Sequence, residues 1–371
     1  MFSLFLLFLL VGFIIHLLVR HFFKNRDFVD SPDGVKKQHE VAVPISGGLS
    51  FGLSYSLFIF ICLLLFYFNL DSFFNIQIPN GRYGSDFPFF SFVILLLISL
   101  VLLSICLIDD LVSLPVWIRL FTQISCSILF IQLGDVSLIN LGALLGESEI
   151  ILHEYIAFIF TIFCIVGVTN AFNWIDGIDG FFSSQVLLAL IGMIVLIGEI
   201  TIIFPLFLSA MLPYILMNLG LFGKKFKVFI GDHGAMMIGF LFSGSFVLLS
   251  QEPEIRPVDT LWCIGLVLLN AFTVIWKRLI KGISIFSSDR EHIHHYFLDL
   301  GYSTRETLFI VSFFSLIIFS IGITFSILEI SESISFFTAI GIILTWNLFS
   351  KSIFRMNTWS FFSNFFIICT Y

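Results

Sequence analysis

The sequence predicts an all-α, polytopic membrane protein with about 11 transmembrane helices. Of the 371 residues, 58% are hydrophobic and 12% are charged, whereas soluble domains carry about 25% charged residues. Phenylalanine alone contributes 50 residues. A globular interior of this size cannot hide that much apolar surface. The composition therefore excludes a soluble enzyme, a nucleic-acid-binding protein and a disordered chain.

The predicted membrane spans are apolar runs that are each long enough to cross about 30 Å of hydrocarbon. They lie near 2–23, 46–69, 89–108, 116–134, 155–173, 181–198, 201–220, 233–250, 259–277, 306–329 and 333–350. The sixth and seventh runs nearly touch, which predicts a tight hairpin near Glu199. The first run is interpreted as a retained helix, because its positive charges follow the apolar stretch instead of preceding it.

The basic residues assign the loops to the two sides of the membrane. With these spans, all of the 18 Lys and Arg residues except Arg82 and Arg256 fall on or at the edge of one side. The positive-inside rule makes that side cytoplasmic, so the N-terminus is expected outside and the C-terminus inside. We expect a single integral-membrane domain, residues 1–371, in the bacterial inner membrane. The polar residues concentrate in the cytoplasmic loops 24–45, 109–119, 170–181, 221–234 and 278–305.

Two carboxylates, Asp109 and Asp110, end the third apolar run. Neighbouring helical residues point about 100° apart, so the two side chains can have different roles. A solvated helix end explains the pair equally well when the pair is taken alone. Arg119, at the start of the next run, can either reach the lipid headgroups or hold a phosphate.

The strongest polar pattern follows the fifth run. Oxygen-bearing side chains recur there every three positions, at Asn170, Asn173, Asp176 and Asp179. At helical or 3₁₀ spacing they form one stripe, which suits a hard cation or a sugar nucleotide. The alternative, a turn rich in Asn, Asp and Gly between two spans, requires only one or two such residues.

A second glycine-containing segment opens the eighth run. Asp232 lies between Gly231 and Gly234, where the backbone can approach a phosphate and a helix N-terminus favours an anion. The Asp232 side chain can also simply cap the helix. The three lysines just before the segment can bind substrate or anchor to anionic lipids.

Two further cytoplasmic loops carry basic side chains. The fifth loop holds Arg290 and three histidines, His292, His294 and His295. A zinc site is conceivable, but no cysteine supports it, and donors to a diphosphate fit better than a solvated amphipathic loop. The first loop carries lysines and His39 beside glycines, which suits phosphate oxygens or a charged membrane anchor equally.

These loops together supply carboxylates and amides for Mg²⁺, with basic groups for phosphates. Mg²⁺ usually takes one or two carboxylates and completes its shell with substrate phosphates. The set therefore predicts phosphoryl transfer, in which positioning and charge neutralisation do most of the work. Because the site lies at the edge of an apolar bundle, we expect one lipid substrate and one water-soluble substrate.

With these motifs the chain resembles the polyprenyl-phosphate N-acetylhexosamine-1-phosphate transferases, which form part of glycosyltransferase family 4. The resemblance covers D-x-P…K-x-H…P-x-x-G-G (30–48), the Asp109–Asp110 pair with Arg119, and N-x-x-N-x-x-D-G-x-D-G (170–180). It continues through V-F-x-G-D-x-G (228–234) and D-R-x-H-x-H-H (289–295). All five motifs occur in the same order, and that order is highly specific.

The resemblance implies transfer of a sugar 1-phosphate from a UDP-N-acetylhexosamine to undecaprenyl or another polyprenyl phosphate, with release of UMP. It implies Mg²⁺, for which Mn²⁺ could substitute, held by Asn173 and Asp232. Either Asp109 or Asp110 would be the catalytic carboxylate, and whether it acts directly or through a covalent intermediate is open. The implied substrate-binding residues are Asp179 and Phe229 for uracil, and Lys37, Arg119, Arg290, His292, His294 and His295 for phosphates, with His39, Asp176 and Asn218 completing the set.

The chain also departs from the family pattern. Val35 is an extra residue in the first loop, and His233 stands where a small residue is usual. The segment 44–48 and the pair His295–Tyr296 differ from the branch that makes the first peptidoglycan lipid. We therefore expect the simpler branch, which initiates a cell-surface polysaccharide. The alternatives are a phospho-N-acetylmuramoyl-pentapeptide transferase and, outside enzymes, a transporter or flippase. Nucleic acid is not expected as a partner, and a homodimer is left open.

Overall fold

The structure, a computed structural model, describes residues 2–31, 42–68, 89–285 and 291–353. In this part of the chain it is mostly helical. The helices are α1 (Phe2–Asn25), α2 (Gly47–Tyr67), α3 (Phe89–Val112), α4 (Val116–Gly134), α5 (Glu154–Asn173), α6 (Phe181–Ile197), α7 (Ile203–Asn218), α8 (Gly231–Ser250), α9 (Pro257–Cys263), α10 (Gly265–Lys281), α11 (Ile293–Asp299), α12 (Thr304–Ile327) and α13 (Glu332–Ile353).

Two short elements interrupt the helices. Strands β1 (Val29–Asp30) and β2 (Val43–Pro44) pair in antiparallel register, with Val29 opposite Pro44. A single 3₁₀ turn covers Lys224–Phe226. Neither element was expected from the apolar runs, because a two-residue strand or a single turn leaves no periodic pattern.

Helices α1, α2, α3, α4, α5, α8 and α12 are each long and apolar enough to cross a membrane, which gives seven candidate spans among the described residues. The bent pair α9–α10 makes an eighth if it counts as one span. Shorter apolar helices cover Phe181–Ile197, Ile203–Asn218 and Glu332–Leu348, where the sequence predicts further spans. A polytopic helical membrane protein is therefore confirmed, whereas eleven spans and the orientation of the termini stay predictions.

The apolar run 259–277 does not form one continuous helix. Helices α9 and α10 meet at an angle of 82°, with Ile264 between them. A Cβ at Gly265 would lie 2.5 Å from the Cγ2 atom of Ile318 on α12, so the backbone bends where it touches α12. An apolar run gives no sign of such a bend, because both halves are equally apolar.

Helix α8 is the centre of the bundle, and its apolar window is completely buried. It packs mainly against α3 and α5 and also against α2. A Cβ at Gly239 would lie 2.9 Å from the Cβ of Phe172 and 3.0 Å from the backbone oxygen of Thr169. The absence of a side chain therefore lets α5 approach α8 closely, as is usual where membrane helices pack on small residues.

The end of α8 farthest from Asp232 leads into a clamp around α9. Arg256 donates two hydrogen bonds to the carboxylate of Asp259, at 2.9 and 2.8 Å. It also donates to the backbone oxygens of Phe325 and Ile330, at 3.2 and 2.6 Å. These bonds fix the start of α9 against the C-terminal end of α12.

Candidate active site

The N-terminal end of α8 brings together polar residues that are far apart in the sequence. Arg119 at the start of α4 donates from Nη1 to Oδ2 of Asp232, at 3.1 Å. The same nitrogen lies 3.2 Å from Oδ2 of Asp109 at the end of α3. One guanidinium group thus bridges two carboxylates, and Arg119 is not merely reaching for headgroups.

Asp109 is buried, with 7% of its surface exposed, so the interpretation of this pair as a solvated helix end is wrong. Its Oδ1 accepts a hydrogen bond of 2.6 Å from the backbone N–H of Leu114, and its Oδ2 faces Arg119. Both oxygens therefore have partners that hold the turn between α3 and α4.

Asp110 faces α8 instead. Its Oδ2 lies 2.6 Å from Nδ1 of His233 and 3.3 Å from the backbone nitrogen of the same residue. No described residue hydrogen-bonds to its other oxygen. The neighbouring carboxylates thus have different surroundings, as their helical spacing predicts.

The loop before α2 runs alongside the segment that opens α8. The backbone N–H groups of Gly47 and Gly48 donate to the backbone oxygens of Phe229 and Ile230, both at 2.9 Å. The N–H of Phe229 donates in turn to the oxygen of Pro44 at 3.0 Å. The free N–H groups that begin any helix are here satisfied by a distant part of the chain.

In the polar stripe at the end of α5, the side chain of Asn170 is hydrogen-bonded within the protein, whereas one oxygen of Asn173 is not. The Nδ2 of Asn170 donates to Oε1 of Gln123 at 2.7 Å and to the backbone oxygen of Val166 at 2.8 Å. Asn170 therefore ties α5 to α4. The Oδ1 of Asn173, by contrast, is buried and has no hydrogen-bond partner in the described part of the chain. A buried oxygen without a donor suits a cation.

Asp176 lies in the loop between α5 and α6, outside the spans. Its pKa is raised to about 8, mainly by burial and then, in decreasing order, by the carboxylates of Asp232, Asp179, Asp110 and Asp30. Clustered carboxylates disfavour one another's charge. A divalent cation in this cleft would relieve that repulsion.

Asp179 forms an ion pair with the ammonium group of Lys227. That ammonium group also lies 5.3 Å from the centre of the Phe229 ring, within the range of a cation–π contact. The structure thus brings together Asp179 and Phe229, which the resemblance implies are uracil contacts, and adds Lys227. Lys227 therefore contacts both of these residues.

Asn218 connects two of the predicted loops. Its Oδ1 accepts from the N–H of Gly180 at 2.9 Å, and its Nδ2 donates to the oxygen of Val228 at 3.1 Å. Only 4% of its surface is exposed. In this structure its amide therefore holds the loop at 174–180 against the segment that opens α8.

The three histidines begin at the N-terminal boundary of α11 and pack on the α5–α6 loop. The ring centres of His294 and His295 are 4.3 Å apart, and the rings of His292 and His294 stack at 5.7 Å. A Cβ at Gly177 would lie 2.0 Å from Nε2 of His294. The Oδ1 of Asn270 accepts from the N–H of Ile293 at 3.0 Å and holds this turn in place.

Three predicted site residues, Lys37, His39 and Arg290, lie outside the described residues. Within the described ranges, no three His, Cys, Asp or Glu side chains are arranged to hold a metal ion. The available donors are carboxylates and the amide oxygen of Asn173. They fit Mg²⁺, because this ion usually needs only one or two protein carboxylates.

Sequence reasoning missed several contributors to the site. Arg278 on α10 is 2% exposed, and its guanidinium carbon lies 5.1 Å from the centre of the Trp174 ring. Gln123 orients Asn170, as described above. Arg278 lies beside Lys277 at the start of the loop 278–305, and Gln123 lies inside an apolar run, so only the fold reveals their contacts. His233 was noticed only as a departure from a pattern.

The fold and this cleft define a helical membrane protein with an acidic site at one end of its bundle. The family model for glycosyl transferase family 4 matches residues 92–250. The chain is 32% identical to undecaprenyl-phosphate alpha-N-acetylglucosaminyl 1-phosphate transferase of Pasteurella multocida (strain Pm70), over 93% of this chain and 91% of the relative. The proteins of that name from Escherichia coli (strain K12) and Yersinia pestis are 32% and 31% identical, over 81% and 80% of this chain and 77% and 76% of theirs.

The chain therefore belongs to glycosyl transferase family 4. The resemblance drawn from the five motifs is confirmed. The region matched by the family model contains the Asp109–Asp110 pair, the stripe that begins at Asn170, and Asp232.

Proposed function

We propose that this protein transfers N-acetylhexosamine 1-phosphate from a UDP-sugar to undecaprenyl phosphate and releases UMP. The observation that carries the proposal is the 32% identity, across nearly the whole chain, to a protein named undecaprenyl-phosphate alpha-N-acetylglucosaminyl 1-phosphate transferase. The cleft at the start of α8 supports it, because it gathers the acidic and basic groups that phosphoryl transfer requires. Such a transfer would initiate synthesis of a cell-surface polysaccharide.

Asp232 and Asn173 are the proposed ligands of Mg²⁺, with Mn²⁺ as a substitute. The unpartnered Oδ1 of Asn173 supports this assignment, as does the position of Asp232 among other carboxylates. When bound, Mg²⁺ neutralises the charge of the phosphates. Arg119, which holds Asp232 and Asp109 in this structure, would turn towards the same phosphates.

Asp110 is the better candidate for the carboxylate that contacts the lipid phosphate. Both oxygens of Asp109 are occupied, by Leu114 and by Arg119. Asp110 is held through one oxygen only, by His233. Its second oxygen can therefore accept a proton from the acceptor phosphate or a hydrogen bond from it.

The nucleotide would lie near Phe229 and Asp179, with Lys227 beside both. The histidines of α11, together with Lys37, His39 and Arg290, would bind the diphosphate. We propose that the cleft faces the cytoplasm of a bacterium across its inner membrane, as the distribution of Lys and Arg predicts.

The comparisons favour neither alternative function. The relatives described above carry the name of the N-acetylglucosaminyl enzyme, and not that of a muramoyl-pentapeptide transferase or a transporter. Transporters also place ionisable groups near the middle of the bilayer, whereas the polar cluster here lies at helix ends.

The test uses membranes from cells that express the protein, supplied with undecaprenyl phosphate, Mg²⁺ and a panel of UDP-sugars that includes UDP-N-acetylmuramoyl-pentapeptide. We expect UMP and a lipid-linked sugar from UDP-N-acetylglucosamine or a close relative of it. The Asp232→Ala variant should reach the same abundance in the membrane and produce neither product. Turnover of the pentapeptide donor alone would select the alternative branch, and no turnover of any donor would contradict the proposal.

A further inference from the structure

His233 lies at a point where three helices meet. It belongs to the first turn of α8 and is fully buried. Its Nδ1 is 2.6 Å from Oδ2 of Asp110 on α3. Its Nε2 is 3.2 Å from the backbone nitrogen of Leu49, in the first turn of α2. One imidazole ring therefore connects α8 to two other helices.

These two contacts determine which ring nitrogen carries the proton. A backbone N–H only donates, so Nε2 must accept the bond from Leu49 and carries no hydrogen. Nδ1 then carries the hydrogen and donates it to Oδ2 of Asp110. The backbone N–H of His233 donates to the same oxygen at 3.3 Å. Oδ2 of Asp110 is thus held by two donors from one residue.

The ring itself has little freedom to move. The helix end of α2 fixes one side of it and Asp110 the other. A Cβ at Gly231 would lie 2.5 Å from Cε1 of His233 and 3.0 Å from Oδ2 of Asp110. The absence of a side chain at Gly231 makes room for this pair, and its backbone has a positive φ of 74°.

We propose that His233 is a positioning residue that orients Asp110, so that the second carboxylate oxygen faces the acceptor phosphate. This inference rests on the proposed function and adds a residue to it. His233 does not contact substrate, since it is fully buried behind Asp110. Its effect passes through the carboxylate, as a second hydrogen-bonding partner commonly fixes a reactive group.

Two substitutions separate the two bonds of the ring. In His233→Asn the amide nitrogen is as far along the side chain as Nδ1, so the variant keeps a donor for Asp110 and loses the acceptor for Leu49. In His233→Gln the amide oxygen is as far along as Nε2, so the variant keeps the acceptor and loses the donor. His153→Gln, on an exposed histidine that precedes α5, is the matched control.

The measurement is steady-state turnover of the purified full-length protein in detergent, normalised to folded protein, with KM for both substrates. We expect kcat of the Gln variant to fall about 10-fold to 100-fold. The Asn variant and the control should stay within about threefold of the wild type, and KM should change little in all of them. Thermal unfolding of each variant is measured in parallel.

Equal kcat values in the Asn and Gln variants would overturn the positioning role, as would losses that follow thermal stability. Both results leave the proposed function intact, because the wild type remains active. A wild type that releases no UMP from any UDP-sugar would overturn the proposed function, and the role of His233 with it.

Discussion

The backbones of α2 and α8 touch at Gly48 and Gly234, and a single methyl group at this contact should disturb the site. A Cβ at Gly48 would lie 2.3 Å from the Cα of Gly234, 2.6 Å from its nitrogen and 2.7 Å from the oxygen of Ile230. Ordinary contact begins at 3.4 Å. Because the obstructing atoms are backbone, a side-chain rotation cannot relieve the clash.

In Gly48→Ala, α2 must therefore move away from α8 by about 1 Å. That movement stretches the two 2.9 Å bonds from Gly47 and Gly48 to the oxygens of Phe229 and Ile230 beyond hydrogen-bond range. Overpacking costs about 1–3 kcal/mol, and each lost hydrogen bond adds about 1 kcal/mol. We expect a loss of about 3–5 kcal/mol in the free energy of unfolding.

The assay is thermal unfolding in detergent together with turnover of UDP-N-acetylglucosamine. The melting temperature should fall by several degrees, and kcat should fall as well, because the segment that carries Asp232 shifts with α8. Gly167→Ala is the control, since nothing lies within 4 Å of a Cβ at that position on α5. Wild-type stability and turnover in Gly48→Ala would refute the argument that the backbones meet here.

Three further predictions concern other parts of the molecule. Asp259→Asn should lower the free energy of unfolding by about 2–3 kcal/mol, because Arg256 loses a charged partner. The variant should keep the kcat of the wild type per folded enzyme. An unchanged melting temperature would contradict the predicted loss of stability. The pKa of Asp176 is about 8 in the folded protein, against an ordinary value of 3.8. In EDTA, the free energy of unfolding should therefore fall as the pH rises from about 4 towards 8, because the folded state resists losing this proton. In a pH series of melting temperatures, Asp176→Asn should remove that slope. Trp174→Leu removes the ring beneath Arg278 and should lower kcat/KM for the UDP-sugar about tenfold, for a contact of about 1–2 kcal/mol, whereas Trp174→Phe, which keeps a ring, should lose less.

The sequence predicts the helices well because each is a long apolar run with a polar break. The run 116–134 coincides with α4, and the hairpin near Glu199 occurs between α6 and α7. The 82° bend between α9 and α10 could not be predicted, since the run is apolar on both sides of Ile264. Short elements such as β1 and β2 are held by pairing between distant residues and leave no local pattern.

For the site, the sequence indicates which groups gather but not how they share their bonds. The spacing of Asn170 and Asn173 makes both equally good candidate ligands. In the structure, Asn170 bonds to Gln123, whereas the side-chain oxygen of Asn173 has no hydrogen-bond partner among the described residues. The helical spacing of Asp109 and Asp110 predicts different surroundings for the two carboxylates, but not which partners each one has. Their difference arises from Arg119 and His233, which belong to other helices, so only tertiary packing can reveal it.

The first turn of α2 has a consequence for how the chain is assembled. Its N–H groups at Gly47, Gly48 and Leu49 find their acceptors at Phe229, Ile230 and His233, and the last of these pairs is separated by 184 positions. During synthesis α2 is therefore made long before its acceptors. Until they are made, water or lipid headgroups must accept the hydrogen bonds of these N–H groups. A chain that ends before Phe229 would leave these three N–H groups without the acceptors that the folded protein provides.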